Sequence, residues 1–167
     1  MSRKVNKLAL SAMLLSVMMV LGYVESLIPI AGVPGIKIGL SNSVLLLSLY
    51  WLGIPISIQL MLMKVLLSAF MFGGVSAIPY SLAGGVLSLA VMILLIFVVK
   101  GFSPIGVGTA GAVMHNTGQI LMAMLILALP QLLYYLAILT VVAIFTGALT
   151  GTVAQLLMKH LRFQLAR

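Results

Sequence analysis

The chain has 167 residues, 63% of them hydrophobic and 6% charged, whereas soluble domains carry roughly 25% charged residues. A soluble fold of this size could not hide so much apolar surface, and a net charge of +8 is better explained by membrane topology and anionic lipid than by nucleic acid. With no cysteine, disulfides, iron–sulfur clusters and thiolate metal sites are excluded.

The charges are unevenly spaced. None falls between Lys7 and Glu25, Lys37 and Lys64, Lys64 and Lys100, or Lys100 and Lys159. Each gap accommodates one bilayer span of roughly 17–25 residues, and the last accommodates two. The start, Arg3-Lys4 and Lys7 before an apolar run from Leu8, resembles the front of a signal peptide. No small-x-small cleavage site follows it, so the run reads as a retained first helix.

Apolar runs and Pro/Gly breaks predict spans at 8–28, 39–53, 55–73, 81–99, 105–129 and 131–158, the second of them short. The breaks are the 29–35 segment, Gly53-Ile54-Pro55, Gly73-Gly74 to Pro79, the 100–104 segment and Leu129-Pro130. Each contains residues that end or kink helices. The expected fold is all-α, an integral membrane bundle of about six transmembrane helices forming a single membrane domain over 1–167. A β-barrel would need alternating apolar and polar residues, which are absent.

Arg3, Lys4, Lys7, Lys159, Arg162 and Arg167 lie at the two ends of the chain, and Lys100 lies in the fourth loop. An even number of spans puts them all on one side, which basic residues identify as the cytoplasm. The expectation is a multi-pass membrane protein with both termini cytoplasmic and Lys37 facing outward. Small residues recur at helical spacing, at Ala12 and Ser16, Gly84 and Gly85, Gly106, Gly108 and Gly111, and Gly147 and Gly151. They serve close helix packing or a docking surface for another membrane subunit.

Ionisable groups at the centre of a spanning helix cost at least roughly 2.5–3.5 kcal/mol on insertion scales. Lys64 in the third span and His115 in the fifth both fall near the midplane. Gln119, four residues after His115, shares its helical face, and Asn116 is beside them. Glu25 lies near the outer end of the first span, Asn42 near the outer start of the second, and Tyr80 and Ser81 open the fourth. If these groups share one interior, they line a cavity that is deepest at Lys64 and His115 and opens outward. The alternative is a structural network in which Glu25 neutralises Lys64 and the amides tie helices together. Lys37 and Lys64 face a single acid, and that excess of cation suits an anionic ligand. With His115 and the tail residue His160 the only histidines, no metal site is expected.

The 32–42 loop, Gly-Val-Pro-Gly-Ile-Lys-Ile-Gly-Leu-Ser-Asn, has three glycines that allow tight turns and expose amide N–H groups to an anion. It reads equally as an ordinary membrane turn with its capping residues. It lacks the Gly-Lys-Ser/Thr ending of a Walker phosphate loop.

The stretch from Glu25 to Pro29, the 35–42 segment, Phe72-Gly73, the 80–85 segment and His115-Asn116-Thr117-Gly118-Gln119 together resemble the bacterial Gx transporter family. That family is also described as heptaprenyl diphosphate synthase component I. It is similar in turn to the six-helix substrate-binding S components of energy-coupling factor transporters. The resemblance implies capture of a small molecule from outside under the first loop, and docking on an energy-coupling membrane subunit driven by ATPase subunits. The docking motif of that class is Ala-x-x-x-Ala in the first helix, where this chain has Ala12-x-x-x-Ser16. The implied ligand is a vitamin-like molecule, a quinone precursor, a prenyl compound or a flavin.

Prenyl diphosphate synthases hold the diphosphate through magnesium bound by aspartate clusters, and this chain has one acidic residue in all. A lone Ser, Lys or His also lacks the base and orienting acid that covalent catalysis requires. No catalytic residue, cofactor or nucleic-acid partner is therefore expected. The expected role is binding and uptake of a small, anionic molecule by Glu25, Lys37, Asn42, Lys64, Tyr80, Ser81, His115, Asn116 and Gln119. A non-catalytic membrane subunit of a heptaprenyl diphosphate synthase is the alternative.

Overall fold

The computed structural model describes residues 3–27 and 40–165. The described residues form helices α1 (Arg3–Leu27), α2 (Leu40–Trp51), α3 (Ile54–Ser68), α4 (Ile78–Ile93), α5 (Pro104–Leu127) and α6 (Leu133–Leu165). Turns of π-helix extend α3 over Ala69–Gly73 and α4 over Leu94–Val99, and short 3-10 turns precede α4 and α6. No strand occurs among these residues, and the fold is an all-α membrane bundle.

Among the described residues, helices end or begin at Gly53-Ile54-Pro55, between Gly73 and Pro79, at 100–104 and at Leu129-Pro130, and the 29–35 break lies outside those residues. Gly53 and Gly74 take positive φ, and prolines stand in the first turns of α3, α4 and α5, where the missing N–H removes no helical bond. Ser103 caps α5 by accepting from the Gly106 N–H at 3.2 Å. α5 ends at Ala128, which adopts the left-handed conformation just before Leu129-Pro130.

Five helical segments are long and apolar enough to cross a membrane. α2 is the exception: its 12 residues extend about 18 Å, well short of a hydrocarbon core of about 30 Å. It is also the most enclosed helix, with Ser43 to Leu49 all buried and with α1, α3, α5 and α6 packed around it. The second predicted span is thus a short central helix shielded from lipid by its neighbours. Its serine Ser48 is fully buried and meets Ser57 of α3 at 2.7 Å, so the hydroxyls satisfy one another.

The outward faces are apolar. Phe70, Leu125 and Phe145 are 72%, 79% and 73% exposed, a surface that suits lipid and would be untenable in water. The lipid-facing shell is apolar, and the helix contacts are marked by small residues and by buried polar side chains such as Ser48, Ser57 and Asn116.

α5 lies between α4 and α6 and approaches both closely. A Cβ on Gly118 would come within 2.6 Å of the Ala83 carbonyl oxygen. On the other side, a Cβ on Gly151 would come within 2.6 Å of the Ile105 Cα and one on Gly147 within 2.6 Å of the Thr109 Cα. Most of the predicted small-residue positions thus serve packing within the bundle. Ala12 and Ser16 differ: both are exposed on α1, where the Ser16 hydroxyl donates to the Ala12 carbonyl at 3.0 Å. Gly106 would hold a Cβ in ordinary contact with Phe102 at 3.6 Å.

Gly151→Ala should therefore destabilise the purified protein by about 1–3 kcal/mol, because the methyl group meets backbone that cannot move aside. Gly106→Ala should unfold at the wild-type temperature or above it. Thermal unfolding in detergent measures both, and equal midpoints for the two variants would contradict this account of the α5–α6 contact.

Candidate functional site

A cavity lined by both polar and apolar side chains lies among all six helices. α1 contributes Met18, Met19, Gly22 and Glu25; α2 contributes Ser41, Asn42 and Leu45. α3 contributes Met61, Lys64, Val65 and Ser68, with Phe72 from the π-helical turn beyond it. α4 supplies Ser81, Gly85 and Ser88, α5 supplies Ala112, His115, Asn116 and Gln119, and α6 supplies Thr146. Within a helix these positions recur every three or four residues, so each set shares one face.

The positions also fix where the cavity sits. They come from the end of α1, the start of α2, the second half of α3 and the first half of α4. Successive helices therefore run in opposite directions, and the cavity occupies the half of the bundle where α1 ends. Its volume is about 50 Å³, room for a few waters or one small polar group.

Three hydrogen-bonding arrangements shape its wall. The Glu25 carboxylate, 4% exposed, accepts from the Leu40 backbone N–H and from the Ser41 hydroxyl, the latter at 3.4 Å. It thereby supplies, from another helix, the negative charge and acceptor that the first turn of α2 needs. The Lys64 Nζ donates to the Asn42 Oδ1 at 2.7 Å, so α2 and α3 are linked within the cavity. The Asn116 Nδ2 donates to the Leu139 carbonyl of α6 at 3.2 Å. The ring of His115 lies against Gly84, where a Cβ would be 3.0 Å from its Cε1 and 2.9 Å from the Cγ of Gln119. Gly84 thus makes room for both α5 side chains.

Of the residues predicted from sequence, Glu25, Asn42, Lys64, Ser81, His115, Asn116 and Gln119 line this one cavity. Tyr80 is half-buried in the first turn of α4 and is not among the lining residues. Lys37 and most of the 32–42 loop lie outside the described residues. Met18, Met19, Gly22, Met61, Ser68, Phe72, Gly85, Ser88 and Thr146 were not anticipated. Several were within reach of the sequence: Met61 and Ser68 flank Lys64, and Gly22 precedes Glu25, at three- or four-residue spacing. Thr146 carried no such signal.

The polar groups on the lining are an ammonium, an imidazole, three carboxamides and several hydroxyls, with one carboxylate engaged by α2. This set can hold and orient an anionic or strongly polar group. Among the described residues no cluster of carboxylates that would hold magnesium occurs.

Fold and cavity together define an α-helical membrane protein with a polar interior in one half of its bundle. The chain belongs to the heptaprenyl diphosphate synthase component I family, whose sequence model matches residues 14–157. No curated protein and no solved structure matches the chain.

The Glu25 contact can be tested for its structural share. Glu25→Ala leaves the Leu40 N–H and the start of α2 without an acceptor and should cost about 1–3 kcal/mol. Glu25→Gln keeps an acceptor oxygen and should recover most of that loss. Thermal unfolding of both in detergent measures the difference, and a Glu25→Ala protein as stable as wild type would refute the contact's role.

Proposed function

We propose that the protein is a membrane component that receives the anionic head of a small amphipathic molecule, in the manner of a prenyl phosphate, in this cavity and serves its uptake or handling at the membrane. The observation that carries the reading is the convergence of Lys64, His115, Asn116, Gln119 and Ser81 on one cavity in a bundle that is otherwise apolar. Polar side chains at this depth are costly to insert, and a packing role alone would not require them to share a cavity. Lys64 and His115 receive the anionic group, and Asn42, Asn116 and Gln119 orient it. The apolar wall of Met18, Met19, Val65 and Phe72 faces the remainder of the molecule. The family's description names a prenyl diphosphate, which joins an anion to an apolar chain in this way.

On the orientation expected from the basic residues, the cavity half faces outward and the termini lie in the cytoplasm. The ligand then arrives from the external side or from the outer leaflet.

Protein in lipid nanodiscs should bind inorganic phosphate and dimethylallyl phosphate, and Lys64→Met should weaken both at least about tenfold, the loss of one charge-assisted contact. His115→Ala should weaken them too, and dimethylallyl alcohol, which lacks the charge, should bind far less tightly. Unchanged affinities in both variants by calorimetric titration would remove the reading.

The description of the family as one component of a synthase favours a second reading, a non-catalytic subunit that holds a prenyl-transferring partner at the membrane. On that reading the magnesium-dependent chemistry belongs to the partner, and the single acidic residue of this chain supports it. Affinity purification in mild detergent separates the two: a coupling subunit with ATPases supports uptake, and a soluble prenyl synthase supports the subunit role. Recovery of the synthase alone would displace uptake as the function.

A further inference from the structure

We infer that Glu25 sets the charge limit of the cavity, so that a head group with one phosphoryl-sized anion is admitted and a diphosphate is turned away. The inference rests on the reading above, that the cavity receives the anionic head of an amphipathic molecule, and it specifies that head.

Space sets the first limit. A cavity of about 50 Å³ holds about three to five water-sized groups. The oxygens of one phosphate fill it, and those of a diphosphate exceed it.

Charge sets the second. Among the lining residues, Lys64 supplies a positive charge, Glu25 a negative one, and His115 can supply a second positive one. A phosphate monoester carries roughly −1.5 to −2 charge at pH 7, which Lys64 and His115 together can balance. Each further phosphoryl group adds at least one more charge, and among the described residues no further cation lines the cavity. Within helices that span a membrane, an unbalanced charge is costly.

Glu25 sharpens this limit because it stands beside the cation. Both of its oxygens serve the first turn of α2, Oε1 accepting from the Leu40 N–H and Oε2 from the Ser41 hydroxyl at 3.4 Å. Lys64 donates to Asn42 at 2.7 Å, one residue further along the same turn. An anion drawn to Lys64 is therefore brought towards a buried carboxylate that is tied in place and offers it no donor. One phosphoryl group can turn its oxygens to His115, Asn116 and Gln119 on α5. A second brings more like charge against Glu25, which costs affinity steeply.

The test compares dimethylallyl phosphate with dimethylallyl diphosphate, which share a tail and differ only in the head, on full-length protein in nanodiscs without magnesium. Wild type should bind the monophosphate at least about tenfold more tightly by calorimetric titration, from repulsion of the added charge. Glu25→Gln, which keeps an acceptor oxygen for α2, should narrow that ratio several-fold, chiefly by tightening the diphosphate. A wild-type protein that binds the diphosphate as tightly as the monophosphate, or more tightly, overturns the inference and leaves the proposed function standing; that comparison needs no variant. A Glu25→Gln protein with the wild-type ratio, including one that has weakened for both ligands alike, overturns it by making the carboxylate purely structural. Binding of neither ligand by wild type overturns the proposed function and this inference with it.

Discussion

A carboxylate or an ammonium cannot face hydrocarbon without a partner, and this bundle houses Glu25 and Lys64 within its spanning helices. Both are accommodated at the start of α2. The carboxylate takes the Leu40 N–H and the Ser41 hydroxyl, and the lysine donates to Asn42 one residue on. Three successive α2 residues thus hold the ends of two ionisable side chains, and α2 must lie inside the bundle to do so. Its burial, its short length and the convergence of α1 and α3 around it are consequences of that requirement.

The other half of the architecture is built on a different principle. α5 meets α4 and α6 through glycines that bring backbone against backbone, a contact that needs no polarity and leaves little volume to fill. These contacts hold His115 and Gln119 close against α4, since a side chain at Gly84 or Gly118 would meet the facing helix. The cavity forms where this glycine-packed layer meets the polar junction of α1, α2 and α3. One wall is positioned by shape and the other by hydrogen bonds.

That construction bears on the chemistry. Membership of a family described as a synthase component sits beside a chain with a single acidic residue, so magnesium-assisted diphosphate transfer lacks its ligands here. A cavity that presents amine, imidazole and amide donors opposite thioethers and a phenyl ring is suited to recognising a molecule with one charged and one apolar end. Recognition of that kind serves uptake and serves the membrane arm of a two-part enzyme equally, and the partner that co-purifies decides between them.

The sequence by itself determined the helices and, among the described residues, where they break. Hydropathy and charge spacing act along the chain, and Pro and Gly end helices locally whatever surrounds them. Periodicity also placed Asn116 and Gln119 beside His115. Only the tertiary structure decided which neighbour each face meets: that Glu25 serves the first turn of α2, that Asn116 reaches the Leu139 carbonyl, and that Tyr80 lies off the cavity while Phe72 and Thr146 line it. It also decided which glycines are packed against neighbouring backbone. A helix in lipid has no polar exterior to betray its inward side, so these pairings depend on how the side chains of six helices fit together in space.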